Sequence, residues 1–310
     1  MFFQFTSADL QPVEPGDINP EVFTVGYVTL EELAAVSQTL GFEQSTVDAC
    51  KNANRFFRTG VEVHRAFTFT ELRILNAHEE ADDFIALFIK NNLFVVVDIE
   101  DRDSSTKNKF FASVRKYPAG RVCPEKVLFA FLDSLLAGDN LVLETLENDL
   151  SEKEEALFST EVEKTFNMEL LHTKKELTKR HAYYSQLLDM TEAVYENEND
   201  IFDEDSLIYV DNISKKIARL KEDTASLRAT VEHLQDAYSS YLDTRMNQTM
   251  KIFTVLTSIF FPLTIIVGWY GMNFRYMPEL TWKYGYVFVI LLSIVTVLVL
   301  WLIGRKKKWF

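Results

Sequence analysis

Cysteine is scarce: Cys50 and Cys123 stand far apart with no partner at metal-ligand spacing, which excludes a disulfide framework and reads as core thiols in a reducing compartment. The five histidines, His64, His78, His172, His181 and His233, form no two-His helical pair, and His78-Glu79-Glu80 is not a metalloprotease motif. No phosphate-binding glycine loop, serine elbow or Cys/His cluster occurs, so neither an enzyme nor an organic cofactor is expected. Basic residues are outnumbered 32 to 46, and a net charge of −14 argues against nucleic acid as a partner because phosphates would be repelled. Met1 to Leu10 lacks the basic and apolar regions of a secretory signal, so the long N-terminal part is expected to stay in the cytosol.

Two further absences are positive signals. Residues 252–270 and 284–304 carry no charged side chain, and each run is long enough to cross a hydrocarbon layer of roughly 30 Å as a helix. Arg305-Lys306-Lys307-Lys308 follows the second run, whereas the connector holds only Arg275 and Lys283 against Glu279. That asymmetry places both termini in the cytoplasm and the connector outside. Gly and Pro are also missing from 207–261, so one helix of roughly 90 Å is expected from about 207 to 270.

Ahead of that helix the pattern is mixed. Val61, Val63, Phe67 and Phe69 fit the period of one half-buried strand. The apolar runs 84–90 and 93–99 flank Asn91-Asn92, a pair suited to a tight hairpin. Residues 101–109 read as a polar surface loop, and from 125 strand signals give way to long helices until an acidic turn at 197–206. The expected division is a cytosolic α/β domain (1–124), a long-helix region (125–206), a stalk helix continuous with the first span (207–270), a connector (271–283), a second span (284–304) and a basic tail (305–310). The fold class is thus an α+β membrane protein.

Two rows run down the stalk. Val210, Ile213, Ile217, Leu220, Thr224, Leu227, Val231, Leu234, Tyr238 and Tyr241 recur at three and four, a seam for lengthwise packing that an ordinary dimeric coiled coil would also show. Beside it Asp236, Ser240, Asp243, Asn247, Met250, Thr254, Thr257, Phe261, Thr264 and Gly268 share one face. Lipid solvates such a stripe poorly, and two helices cannot enclose water alone, so a pore needs several subunits. Small-residue packing with hydroxyls bonded back to the helix is the competing reading of the same stripe.

The connector opens with Tyr270-Gly271-Met272-Asn273-Phe274, followed by Met277-Pro278-Glu279-Leu280. With Asn247-Gln248, Met250-Lys251 and Phe261-Pro262-Leu263-Thr264 upstream, residues 247–310 resemble the CorA family of magnesium transport channels, the two-span Gly-Met-Asn proteins. The resemblance implies a funnel-shaped homopentamer in the cell membrane, its stalk helices continuing as the pore wall. It makes Gly271, Met272 and Asn273 the outer selectivity ring, puts Asn247, Met250 and Thr264 in the pore lining, and sets Asp236 near the cytoplasmic mouth with Ser240 and Asp243. Thr254, Thr257, Phe261 and Gly268 complete the lining by the spacing of the row; the family often has methionine where Phe261 stands. Phe253 lies next to that face.

Magnesium, with cobalt and nickel as companions, is then both the transported ion and the regulator that bridges cytosolic domains of neighbouring subunits. Asp211 and Asp98 are the regulatory carboxylates to test, Asp98 within Asp98, Glu100, Asp101 and Asp103, where a plain surface loop competes. Two other functions remain open: a zinc-preferring, proton-coupled relative, and a non-conducting membrane-tethered scaffold. Zinc prefers nitrogen and sulfur, which the row offers only at Met250.

Overall fold

The computed structural model describes residues 1–5, 10–52, 60–76, 82–118, 122–157, 165–273, 275, 277–278 and 282–306. His78, Glu79, Glu80, Phe274, Glu279, Leu280, Lys307 and Lys308 lie outside the described residues. The chain divides into two compact units, Met1–Leu234 and Gln235–Phe310.

The first unit is built on a seven-stranded sheet of order β2-β1-β3-β7-β6-β5-β4. Its strands are β1 (Phe2–Phe5), β2 (Leu10–Val13), β3 (Thr24–Thr29), β4 (Val61–Val63), β5 (Thr68–Ile74), β6 (Asp83–Lys90) and β7 (Leu93–Glu100). Among the described residues only the β3–β7 pairing is parallel. The Asn91-Asn92 hairpin forms as expected, with Asn92 taking the left-handed conformation at φ 58°. The central strands are covered on both faces, which is why they read as near-continuous apolar runs. Alternation sends Val95 and Val97 toward α1 (Leu30–Leu40) and α2 (Gln44–Lys51), where they join Leu33, Leu40, Val47 and Cys50 in one core. Phe94 points the other way and stacks on Phe110 of α3 (Ser105–Val114), itself edge-on to Phe131 of α4 (Pro124–Leu135). Thr29 and Glu32 form a capping box at the start of α1, so the strand-to-helix turn is fixed by two reciprocal hydrogen bonds.

Three expectations are corrected here. Residues 61–69 are two antiparallel strands, β4 and β5, because the chain turns at 64–67 and the His64 amide donates to the Phe67 carbonyl (2.9 Å). The stretch 101–109 is only partly a surface loop: α3 starts at Ser105, and Thr106 is fully buried where it donates to Asp83 (2.7 Å). Cys123 is half-buried at the N-cap of α4 rather than in the core. Strands β1 and β2 extend the α/β domain ahead of the point where its pattern becomes visible in the sequence.

Helices α5 (Asp139–Leu157) and α6 (Phe166–Glu196) run antiparallel, tied by Arg180 to Asp139 (3.4 Å) and Lys153 to Glu169 (3.4 Å). Asn197 ends α6 in the left-handed conformation, and the acidic turn leads into α7 (Leu207–Tyr270), 64 residues long and about 96 Å by its rise. The eight buried residues of α7 are the seam from Val210 to Leu234. Phe129 meets Tyr209, Lys216 binds Asp133 (2.7 Å) and Lys174 binds Glu232 (3.0 Å). The seam is therefore covered by the chain's own helices, which removes it as the contact of a dimeric coiled coil.

Glu71 on β5 offers a test of the core. Burial, then the charge of Glu62, pushes its carboxyl up to about 6 from 4.5. A carboxyl raised on folding leaves stability intact below 4.5 and lowers it as pH climbs through about 6. Glu71→Gln should leave stability at pH 4 unchanged. At pH 7 it should add about 1 kcal/mol after allowance for screening at this half-exposed group, a Tm gain of a few degrees.

Candidate ion pathway

The second unit contains the C-terminal part of α7 and α8 (Gly285–Lys306), among the described residues the two helices long and apolar enough to cross a membrane. Val255, Ser258, Ile259, Pro262, Leu263, Ile266 and Tyr270 form the half-covered stripe of α7. On α8 the covered stripe begins and ends at buried glycines, Gly285 and Gly304, a pattern of two helices packed side by side. Pro262 lies within α7 without ending it, with its ring in the covered stripe.

Asn247, Met250, Thr254, Thr257, Phe261, Thr264 and Gly268 occupy an arc of about 100° on the opposite side of α7, and all are exposed within the chain. The row thus faces away from the chain's own second span. Thr254, Thr257 and Thr264 each donate to a carbonyl four residues back, at 2.8 Å, as Ser240 does to Asp236 at 3.0 Å. Back-bonding is therefore present, but packing of these residues against α8 is not. Its chemical consequence is polarity of one kind: a hydroxyl that has given its proton to the helix can only accept from outside. A line of acceptors suits the water protons of a hydrated cation and gives nothing to an anion. Phe253, Phe260 and Phe261 are exposed on or beside this face, so apolar steps alternate with the hydroxyls. Asp236, Ser240 and Asp243 are exposed further along the same helix.

At the far end the Gly271 amide closes the last helical hydrogen bond to Val267 (2.9 Å), and the Met272 amide reaches Trp269 (3.4 Å). A Cβ on Gly271 would stand 2.8 Å from the Val267 carbonyl oxygen, whereas at Gly268 nothing lies within 4 Å. Gly271 is thus required by the chain's own backbone, and Gly268 is not. Met272 and Asn273 follow, both exposed. Trp282 packs against Tyr284 and Phe288 where α8 begins, the aromatic girdle expected at a membrane–water boundary.

The regulatory candidates lie in the first unit. Asp211, half-buried near the start of α7, pairs with Lys215 (2.6 Å). Asp98 is half-buried on β7, its carboxyl raised by burial and then by the charge of Asp101. Among the described residues the carboxylate oxygens that converge within 4.8 Å belong to Asp83, Asp101 and Asp103, with Asp98 beside them; Glu100 binds Arg102 instead. Asp83 accepts from Thr106 and Ser105, Asp101 from Tyr27 (2.9 Å) and the Lys107 amide (3.0 Å), and Asp103 from the Ser105 amide (2.8 Å). These bonds supply much of what a cation would. Asp83 was not singled out in the sequence, where the apolar run begins at Phe84, one residue after the strand's true start.

The chain matches the family described as CorA-like Mg2+ transporter protein over residues 23–306. It is similar to the cobalt/magnesium transport protein CorA of Thermotoga maritima, 24% identical across 99% of this chain and 89% of the relative. It is 26% identical to the magnesium transport protein CorA of Wolinella succinogenes, over 97% and 90%. Among solved structures, the CorA magnesium transporter from Methanocaldococcus jannaschii covers 100% of this chain with 98% of its own, at TM-score 0.77 and 21% identity. The ZntB cytoplasmic domain from Vibrio parahaemolyticus shares the fold over 78% of this chain and 97% of its own, at TM-score 0.64 and 14% identity. The match extends from the third strand of the sheet through both apolar helices, and the chain belongs to the CorA-like Mg2+ transporter family.

Proposed function

We propose that this chain assembles as a funnel-shaped homopentamer in the cell membrane, with both termini cytoplasmic, and admits magnesium through a central pore lined by α7. The observation that carries the reading is the row from Asn247 to Gly268: exposed, acceptor-rich, uncharged within the span, and on the face of α7 opposite the one that α8 covers. The names of the Thermotoga and Wolinella relatives support magnesium, and cobalt beside it, as cargo.

Magnesium holds its water tightly and demands octahedral oxygen geometry, so full dehydration is expensive. Neutral oxygens at Gly271 and Asn273 accept from the retained water shell without the grip of a charged ligand. Met272 completes the ring. Met250 and Phe261 form apolar constrictions that dewet until the helices splay. Asp236, Ser240 and Asp243 collect cations at the cytoplasmic mouth. Regulation by intracellular magnesium is part of the same proposal, assigned to Asp211 and Asp98 between neighbouring subunits; at Asp211 the ion must displace Lys215.

The test is flux into liposomes carrying the purified chain, with magnesium, zinc or a proton gradient imposed in turn, alongside the mass of the assembly. Magnesium uptake driven by an inside-negative potential, in a particle of five chains, is the expected result. Zinc uptake tied to the pH gradient would replace the proposal with coupled zinc transport. Absence of every flux would leave a non-conducting scaffold.

A further inference from the structure

Charge is divided unevenly between the two units. Residues 1–234 carry 43 acidic and 24 basic side chains, whereas 235–310 carry 3 acidic and 8 basic. Within the second unit the cations gather at the end away from the Gly-Met-Asn turn. Lys251 lies 19 residues before Tyr270, and Arg305 lies 20 residues after Gly285. At 1.5 Å per residue these distances are about 28 Å and about 30 Å, so both cations reach the same depth, one hydrocarbon thickness from the turn. Lys251, Arg305 and Lys306 are all exposed.

Among the described residues these cations have no carboxylate partner. α8 contains no acidic residue, and the nearest acid before Lys251 on α7 is Asp243. Among the described residues none of the three forms an ion pair. Arg305 has a different neighbour, the Trp301 indole, over which its guanidinium lies 5.6 Å from the ring centroid. An indole prefers the headgroup boundary, and a guanidinium held on its face is oriented with its N–H donors free. A planar fork of free donors at that boundary, with two ammonium groups at the same level, matches a phosphodiester.

We propose that Lys251, Arg305 and Lys306, with Trp301 beneath the guanidinium, form a binding surface for anionic phospholipid headgroups. The surface continues the exposed apolar side of α8, so one lipid presents its acyl chains to Leu298 and Leu302 and its phosphate to the cations. Assignment to the inner leaflet rests on the topology proposed above; recognition of the headgroup does not.

The test uses the full-length protein extracted from vesicles of equal parts phosphatidylcholine and phosphatidylglycerol, with the retained phospholipid measured by mass spectrometry. Phosphatidylglycerol should be enriched at least on the order of tenfold over phosphatidylcholine, since each cation near a charged headgroup contributes roughly fivefold. The triple variant Lys251→Gln, Arg305→Gln, Lys306→Gln should retain both lipids equally. Arg305→Lys should fall between, and parental helix content and assembly mass in it guard against misfolding. Equal retention by the parent, or undiminished enrichment in the triple variant, overturns the proposal. So does displacement of the lipid by inorganic phosphate at matching concentration, which would mark a general anion site. Because retention is read without any ion gradient, a parent that retains phosphatidylglycerol but passes no magnesium would sink the transport reading and leave this one standing.

Discussion

Asn273→Ala should reduce magnesium uptake into liposomes to the level of protein-free vesicles while helix content and assembly mass stay parental. Asn273 is exposed, three residues beyond the end of α7, so its side chain carries no fold burden. In a five-fold ring one substitution removes five amide oxygens at once. At about 0.5–1.5 kcal/mol for each hydrogen bond to the hydrated ion, the loss amounts to roughly two to five orders of magnitude in occupancy of the entrance. Asn273→Asp should fail differently. Five carboxylates would bind the ion more tightly, so uptake should saturate at lower magnesium and turn over more slowly, with a dependence on ionic strength that the parent lacks. Parental magnesium uptake by Asn273→Ala would mean that ion selection is not performed at this ring.

The sequence carries the periodic elements well and the compact ones poorly. The α7 seam and the polar row were legible because a 64-residue helix without Gly or Pro before Pro262 repeats its three-and-four spacing many times. The β6–β7 hairpin was legible because Asn91-Asn92 supplies local turn chemistry between two apolar runs. Strands β1 and β2 were not, since each is four residues long and owes its order to pairing with β3 and with one another. Residues 101–109 misled for a related reason: what buries Thr106 is Asp83 on a strand distant in sequence, and no local pattern announces it. The site shows the same division. The Gly-Met-Asn motif and the row could be quoted from the sequence, but not that the row lies opposite the stripe that α8 covers, nor that the two glycines of α7 and its end have different reasons to be there.

Those two glycines allow the fold of one chain to be separated from the assembly of several. At Gly271 a methyl group would meet the Val267 carbonyl oxygen at 2.8 Å, so Gly271→Ala must shift the helix end and move Met272 and Asn273 with it. Magnesium uptake should fall more than tenfold, in keeping with the sensitivity of a preorganised ring to displacements of an ångström. At Gly268 the space is open within the chain, and alanine favours a helix over glycine by about 1 kcal/mol. A lone chain should therefore gain stability from Gly268→Ala. If Gly268 instead lines a crowded axis, five added methyl groups narrow the passage just inside the selectivity ring, and uptake should fall although the assembly melts no lower than the parent. Comparison of Tm and uptake for the two variants decides the matter: loss of uptake at unchanged or higher Tm for Gly268→Ala places this face of α7 around the ion path, and parental uptake at higher Tm would put it elsewhere.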